Sequence, residues 1–285
     1  MQTFATWFLV INGFLAVLLA FGSSESNAET GSIKRGYAPV NGLKMYYEIH
    51  GESDNSKNPP LVLLHGGGST METSFGNILP ILANNRKVIA FDQQGHGRTA
   101  DIPDRPFSFS QSAEDTVALL QYLKIEKVDF LGYSNGGHIA LQLAITHPGV
   151  IRKLIIESAM FSRAGSDPAF WNSFQNAQLK DMPQELKDTY VRVAPHPENL
   201  QSFFDKSVER MMNFKGWTSA EIKAIQAPTL VLIGDHDIVN PENAVSLFRL
   251  ISNAQLSILP GTDHMKILSS TLVAPIVETF LNESN

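Results

Sequence analysis

A short continuous apolar run, Leu61–Leu64, is followed by similar, largely apolar runs at 87–91, 128–131, 154–156, 229–233 and 256–259. Runs of this length read as strands buried on both faces, the habit of a parallel sheet. The segment Leu43–His50 instead alternates apolar and polar positions and reads as an edge strand. Helical periodicity fills the intervals. In 112–124 it places Val117, Leu120 and Leu123 on one face, and in 138–147 it collects Ile139, Leu141, Leu143 and Ile145. Pro241–Leu250 starts with proline at a favoured helix N-terminus, and 268–280 closes the chain. Strand and helix alternate without an internal repeat, which predicts an α/β fold with a doubly wound, mostly parallel sheet and helices on both faces.

The alternation stops over 161–221. No strand run occurs there, but helical pieces carry Phe170, Trp171, Phe174, Met182, Phe203, Phe204 and Met211. This stretch reads as a helical insertion that splits a core made of 29–160 and 222–285. Its large side chains have two explanations, packing within the insertion or an apolar lid over a cavity.

Residues 1–28 form a different kind of segment. Two apolar runs are followed by small polar residues ending Ser26-Asn27-Ala28, the pattern of a signal peptide cut before Glu29. The expectation is an exported protein, periplasmic or secreted, with no membrane attachment after cleavage. The n-region has no Lys or Arg, so an uncleaved anchor over Phe4 to Phe21 is the alternative.

Composition narrows the chemistry. With 43% hydrophobic and 18% charged residues among 285, the chain is of ordinary globular make-up. Lys+Arg number 22 against 28 Asp+Glu, a net charge of −6 without a basic cluster, so nucleic acid is not an expected partner. The absence of cysteine removes disulfides, thiolate metal sites, a lipid-bearing N-terminal cysteine and a cysteine nucleophile.

Another nucleophile is offered by Gly132-Tyr133-Ser134-Asn135-Gly136, which lies between a strand and a helix. A serine in so tight a turn needs very small residues two positions to either side, and the turn lifts its hydroxyl clear of the sheet. Serine also needs a base, and the base an acid. Of eight histidines, His264 alone follows a strand in a loop at the sheet edge where Ser134 emerges; the others read as strand-end, turn or helix-surface residues. Asp237, after the strand 229–233, is the preferred acid. Asp235 reads as a turn carboxylate, and Glu157 is the minor alternative at another strand end. His65-Gly66-Gly67-Gly68 follows the strand Leu61–Leu64, where the Gly67 N–H pairs with that of Asn135 as an expected oxyanion hole. His65 reads as an orienting, hydrogen-bonded residue.

In their order, these four motifs resemble the α/β-hydrolase superfamily. Phe91-Asp92-Gln93-Gln94-Gly95-His96-Gly97-Arg98-Thr99 is similar to the family's D-x-R-G-x-G-x-S stretch, with Gln94 in the Arg place and Thr99 in the Ser place. The resemblance implies an eight-stranded sheet with one antiparallel strand, a helical cap inserted after strand six, and no cofactor or metal. Serine at the elbow argues against the family's dehalogenases and epoxide hydrolases, which use aspartate there. The function so implied is hydrolysis of a carboxylic ester in a small, largely apolar substrate. An amidase or aminopeptidase, a lactonase and a C–C bond hydrolase are alternatives on the same fold. A non-catalytic ligand-binding protein on this scaffold is the alternative from another class, and the intact Ser134, Asp237 and His264 set argues against it.

Overall fold

The computed structural model describes residues 33–51 and 58–283; the 1–28 signal segment lies outside them. Eight strands form one sheet: β1 Lys34–Val40, β2 Leu43–His50, β3 Leu61–Leu64, β4 Val88–Phe91, β5 Val128–Tyr133, β6 Ile151–Glu157, β7 Thr229–His236 and β8 Ala254–Asp263. Their order is β1-β2-β4-β3-β5-β6-β7-β8. Only β2 runs against its neighbours, antiparallel to both β1 and β4.

Three expectations need correcting: β1 has no counterpart in the pattern, Leu43–His50 is not an edge, and 256–259 lies in β8 at the far edge, where only Leu259 of that run is buried. The segment Leu43–His50 is not an edge, because β1 pairs along its whole length and continues the sheet outward. In β1 only Ala38 and Val40 are buried, and Gly36 and Pro39 interrupt the pattern, so it carries little apolar signal. An edge strand needs only one covered face and tolerates proline.

Residues alternate across the central strands between two cores. Leu61, Leu63, Val88, Ala90, Leu131 and Ile155 point to one face, where α1 Met71–Phe75, α2 Leu79–Leu82 and α10 Val273–Asn282 pack. Val62, Leu64, Ile89, Phe130, Leu154 and Ile156 point to the other, covered by α3 Phe109–Tyr122, α4 Asn135–Thr146 and α9 Pro241–Leu250. Each such fully buried aliphatic side chain contributes about 1.5–3 kcal/mol, which is why these strands read as unbroken runs.

Helix boundaries move for local reasons. The helix expected at 138–147 begins at Asn135, since the elbow turn feeds it directly. That expected at 268–280 divides into a 3₁₀ turn, Lys266–Ser269, and α10. Pro275 falls in the first turn of α10, where its missing N–H costs nothing; a helix from 268 would place it inside. α1 and α2 are too short for a periodic signal.

Between β6 and β7 lie α5 Pro168–Gln175, α6 Gln184–Val193, α7 Leu200–Met212 and α8 Ser219–Lys223. Phe107, Met182, Tyr190, Phe203 and Phe204 make a small core of their own, whereas Trp171, Met211 and Phe214 join the larger one. Where the insertion leaves and re-enters the body, Ser162 bridges Gly216 and Trp217 N–H donates to Phe161 O at 2.9 Å. Gly216 has φ 80°, and a Cβ there would meet Phe161 O at 2.6 Å.

The loop after β4 shows how the two departures at Gln94 and Thr99 are accommodated. Gln94 donates to Asp101 Oδ1 at 2.7 Å and accepts from Arg105 Nε at 2.5 Å. Thr99 Oγ1 donates to Asp92 O at 2.7 Å and accepts from Tyr46 N–H at 2.9 Å.

Candidate active site

β5 ends at Tyr133 and α4 begins at Asn135, leaving Ser134 alone in the turn with φ 52° and ψ −116°. A non-glycine residue in this region is strained, and the neighbours are shaped to permit it. A Cβ on Gly132 would lie 2.2 Å from Gly136 O, and one on Gly136 would lie 1.8 Å from Leu64 O. The glycines two before and two after Ser134 are therefore steric requirements of the close β5–α4 and β3–α4 approach.

The carboxyl ends of β5, β7 and β8 bring three side chains together. His264 Nδ1 lies 2.8 Å from Asp237 Oδ1, and His264 Nε2 lies 3.1 Å from Ser134 Oγ. With the proton on Nδ1 facing the carboxylate, Nε2 is left to accept from the serine hydroxyl. The loop bearing His264 is fixed by Tyr133, whose hydroxyl donates to His264 O at 2.7 Å and whose ring lies 5.2 Å from the imidazole.

Asp237 is buried and fully engaged. Burial alone would push its carboxyl up, but the charge and hydrogen bond of His264, the Ser158 hydroxyl and the Val239 N–H hold it below the ordinary aspartate value. Asp235 is exposed and accepts from Thr262 N–H at 3.1 Å, a turn role that ties β7 to β8. Glu157 is buried at the end of β6 but does not reach His264; burial first, and the Asp237 charge second, push it up to about 8.

Gly67 and Asn135 meet beside Ser134. The N–H of Asn135, as the first of α4, has no partner within the helix and carries the positive end of the helix dipole. A Cβ on Gly67 would come within 2.0 Å of Asn135 Nδ2, so a side chain there would push the Asn135 carboxamide aside. His65, expected to orient this loop, accepts from Gln93 N–H at 3.0 Å on Nε2 and so donates from Nδ1 to Gly66 O at 2.8 Å. Burial brings it down to about 4, so it is neutral at physiological pH.

Ser134 and His264 open on a cavity of about 210 Å³. Its walls come from Phe170 and Phe174 on α5, Met182 and Leu186, and Phe203, Phe204, Val208 and Met211 on α7. Polar contacts besides the site come from Ser69, Ser173 and Ser207; among the described residues no Asp, Glu, Lys or Arg lines it. The insertion's large residues are therefore divided, with Trp171 and Phe214 packing into the body.

Two residues with a part here were not singled out by pattern: Ser158 is a lone serine after an apolar strand, and Tyr133 occupies the variable position of the elbow motif. His138, expected on a helix surface, is buried instead among Phe109, Phe214 and Trp217, because the insertion covers that face of α4.

Residues 59–203 match the alpha/beta hydrolase fold family, and the chain belongs to that family. It is a hydrolase. Similar proteins include the 2-hydroxymuconate semialdehyde hydrolase of Pseudomonas sp. (strain CF600), 28% identical over 81% of this chain and 90% of that one. The proline iminopeptidase of Lactobacillus crispatus (strain ST1) is 32% identical over 83% and 93%. Among solved structures, Est816, described as an N-acyl homoserine lactone degrading enzyme, superposes with a TM-score of 0.67 at 25% identity, covering 87% of this chain and all of that one.

Proposed function

We propose that the chain is an exported serine hydrolase that cleaves carboxylic esters of small, largely apolar substrates. The observation that carries this reading is the hydrogen-bonded series Asp237–His264–Ser134 at the mouth of an apolar cavity. Ser134 Oγ attacks the ester carbonyl while His264 Nε2 takes its proton, and the carbonyl electron pair moves to oxygen, held by the Gly67 and Asn135 N–H groups. His264 then returns the proton to the leaving alcohol. Water, deprotonated by the same imidazole, releases the acid from Ser134. Asp237 keeps the imidazole in the required tautomer and stabilises its charged form.

The lining favours a neutral ester over a free amino terminus. An ammonium group in this cavity would need an anion, and among the described residues no carboxylate lines it. Glu185, Asp188, Glu198, Asp205 and Glu209 are all outside the wall.

The test is labelling of the purified protein with a fluorophosphonate, beside turnover of p-nitrophenyl esters and an aminoacyl amide. Labelling at Ser134, its loss in Ser134→Ala and preference for the ester are expected; labelling of another serine overturns the assignment. Export rests on the 1–28 pattern, and a secreted or periplasmic chain beginning at Glu29 is the expected result of N-terminal sequencing.

A further inference from the structure

Arg210, on α7, is 4% exposed. Its guanidinium lies between Phe107 and Phe109, with Cζ 5.5 Å from each ring centroid. Neither Nε nor Nη2 has a hydrogen-bond partner in the protein, and among the described residues no carboxylate pairs with it. The titratable groups gathered around it are His65, His96 and His138, all held neutral by burial. Burial lowers Arg210 itself to about 10, so it is still cationic at neutral pH. The aromatic faces thus hold a positive charge without cancelling it.

An uncompensated buried charge is costly, and an apolar side chain of similar shape would pack this position at less expense. Its location gives the cost a use. Nη2 lies 3.3 Å from where a Cβ on Gly67 would stand, a point that is also 2.0 Å from the side-chain amide nitrogen of Asn135. Phe203, Phe204, Ser207, Val208 and Met211 of the same helix line the cavity, but Arg210 does not. It stands behind the loop that faces the substrate.

We infer that Arg210 is a positioning residue of this site, its unpaired guanidinium supplying a fixed positive field behind the Gly67 and Asn135 N–H donors. The inference rests on the ester-hydrolase reading. In the first step the Ser134 Oγ–carbon bond forms, the carbonyl π pair moves onto oxygen and the serine proton passes to His264; no further reactant is needed. The oxygen is nearly neutral in the bound ester and negative in the tetrahedral species, so a nearby cation in a poorly polarisable setting favours the second over the first. The effect falls on kcat and spares KM.

The experiment uses the full-length protein with Arg210→Met, Arg210→Gln and Arg210→Lys, one ester substrate, and two inhibitors sharing its acyl group: a trifluoromethyl ketone, which forms an anionic adduct on serine, and a neutral amide, which does not. The neutral variants are expected to lose roughly 10- to 100-fold in kcat, less than the roughly 10²- to 10³-fold seen when a direct donor is removed. KM should stay within about twofold, affinity for the ketone should fall by the same factor as kcat, and amide affinity should hold. Arg210→Lys should keep most of both. The inference is overturned if a folded neutral variant keeps kcat within twofold, if KM rises while kcat holds, or if Lys is as damaging as Met and Gln. A wild-type protein that neither turns over esters nor takes up fluorophosphonate at Ser134 removes the ester-hydrolase reading itself, a different result from an active wild type matched by its Arg210 variants.

Discussion

The Ser158 hydroxyl donates to Asp237 Oδ2 over 2.6 Å, on the carboxylate oxygen opposite the one facing His264. Ser158 stands one residue past β6 with φ 52°, its N–H bonded to Leu232 O on β7 at 2.9 Å. The end of one strand thereby aims the acid carried by the next. Replacing Ser158 with alanine removes a hydrogen bond to a charged group, worth about 1.5–3 kcal/mol. The expected result is a drop in kcat of about tenfold with KM little changed, read from steady-state kinetics.

Asp237→Asn should be far more severe than Asp235→Asn. An asparagine at 237 presents a donor toward His264 Nδ1 or accepts with no charge, and kcat is expected to fall by about 10⁴ while circular dichroism and melting stay near wild type. At 235 the change weakens only exposed turn contacts to the Gly261 and Thr262 backbone, so kcat should stay within a few-fold. Reversed effects would make Asp235 the acid.

Glu157 gives stability a pH dependence of definite sign. Its folded value of about 8 lies above the ordinary glutamate value, so between roughly pH 4.5 and 8 the unfolded chain has released a proton that the folded one keeps. That contribution is fully present below the unfolded value and is lost as pH rises through the folded one. In Glu157→Gln this component disappears, and melting temperature should fall less steeply between pH 5 and 8 than in the wild type. Parallel profiles would contradict the assignment.

Gly136→Ala should fail to give a correctly folded protein, since the methyl would stand 1.8 Å from Leu64 O, a backbone atom in the centre of the sheet. Gly149→Ala, with nothing within 4 Å, is the control and should change stability by less than about 1 kcal/mol. Soluble yield and thermal melts separate the two.

The cavity wall sets an expected order among esters. A methylene that fits contributes about 0.8 kcal/mol on burial, so two that fit should raise kcat/KM roughly tenfold if most of that energy reaches the transition state. Short to medium acyl chains should outperform acetyl and strongly charged ones. A steady fall with every added carbon would mean that the cavity is already filled.

The central strands were legible because burial on both faces leaves a largely apolar run, and Ser134 because a Cβ on either flanking glycine would fall within 3 Å of backbone atoms. His264 and Asp237 are legible from simple geometry, since residues after parallel strands gather at one edge. β1 was not legible, since an edge strand with glycine and proline buries only two residues. Nor were Ser158 and Arg210, whose parts depend on what a distant segment brings within reach. The alternation in Leu43–His50 marks a strand but not its place in the sheet, because alternation reports exposure and not the identity of the neighbour.

The bridge from Ser162 to Gly216 closes the chain around α5, α6 and α7 before it returns to the sheet. To β6 and β7 the whole excursion thus has the ends of a tight turn, whatever its contour length. Closure entropy grows only logarithmically, so doubling the excursion would cost about 0.6 kcal/mol more. Chain length inside the bridge is consequently cheap to vary for the parallel sheet, and the room available to a substrate is decoupled from the entropy of assembling the strands beneath it.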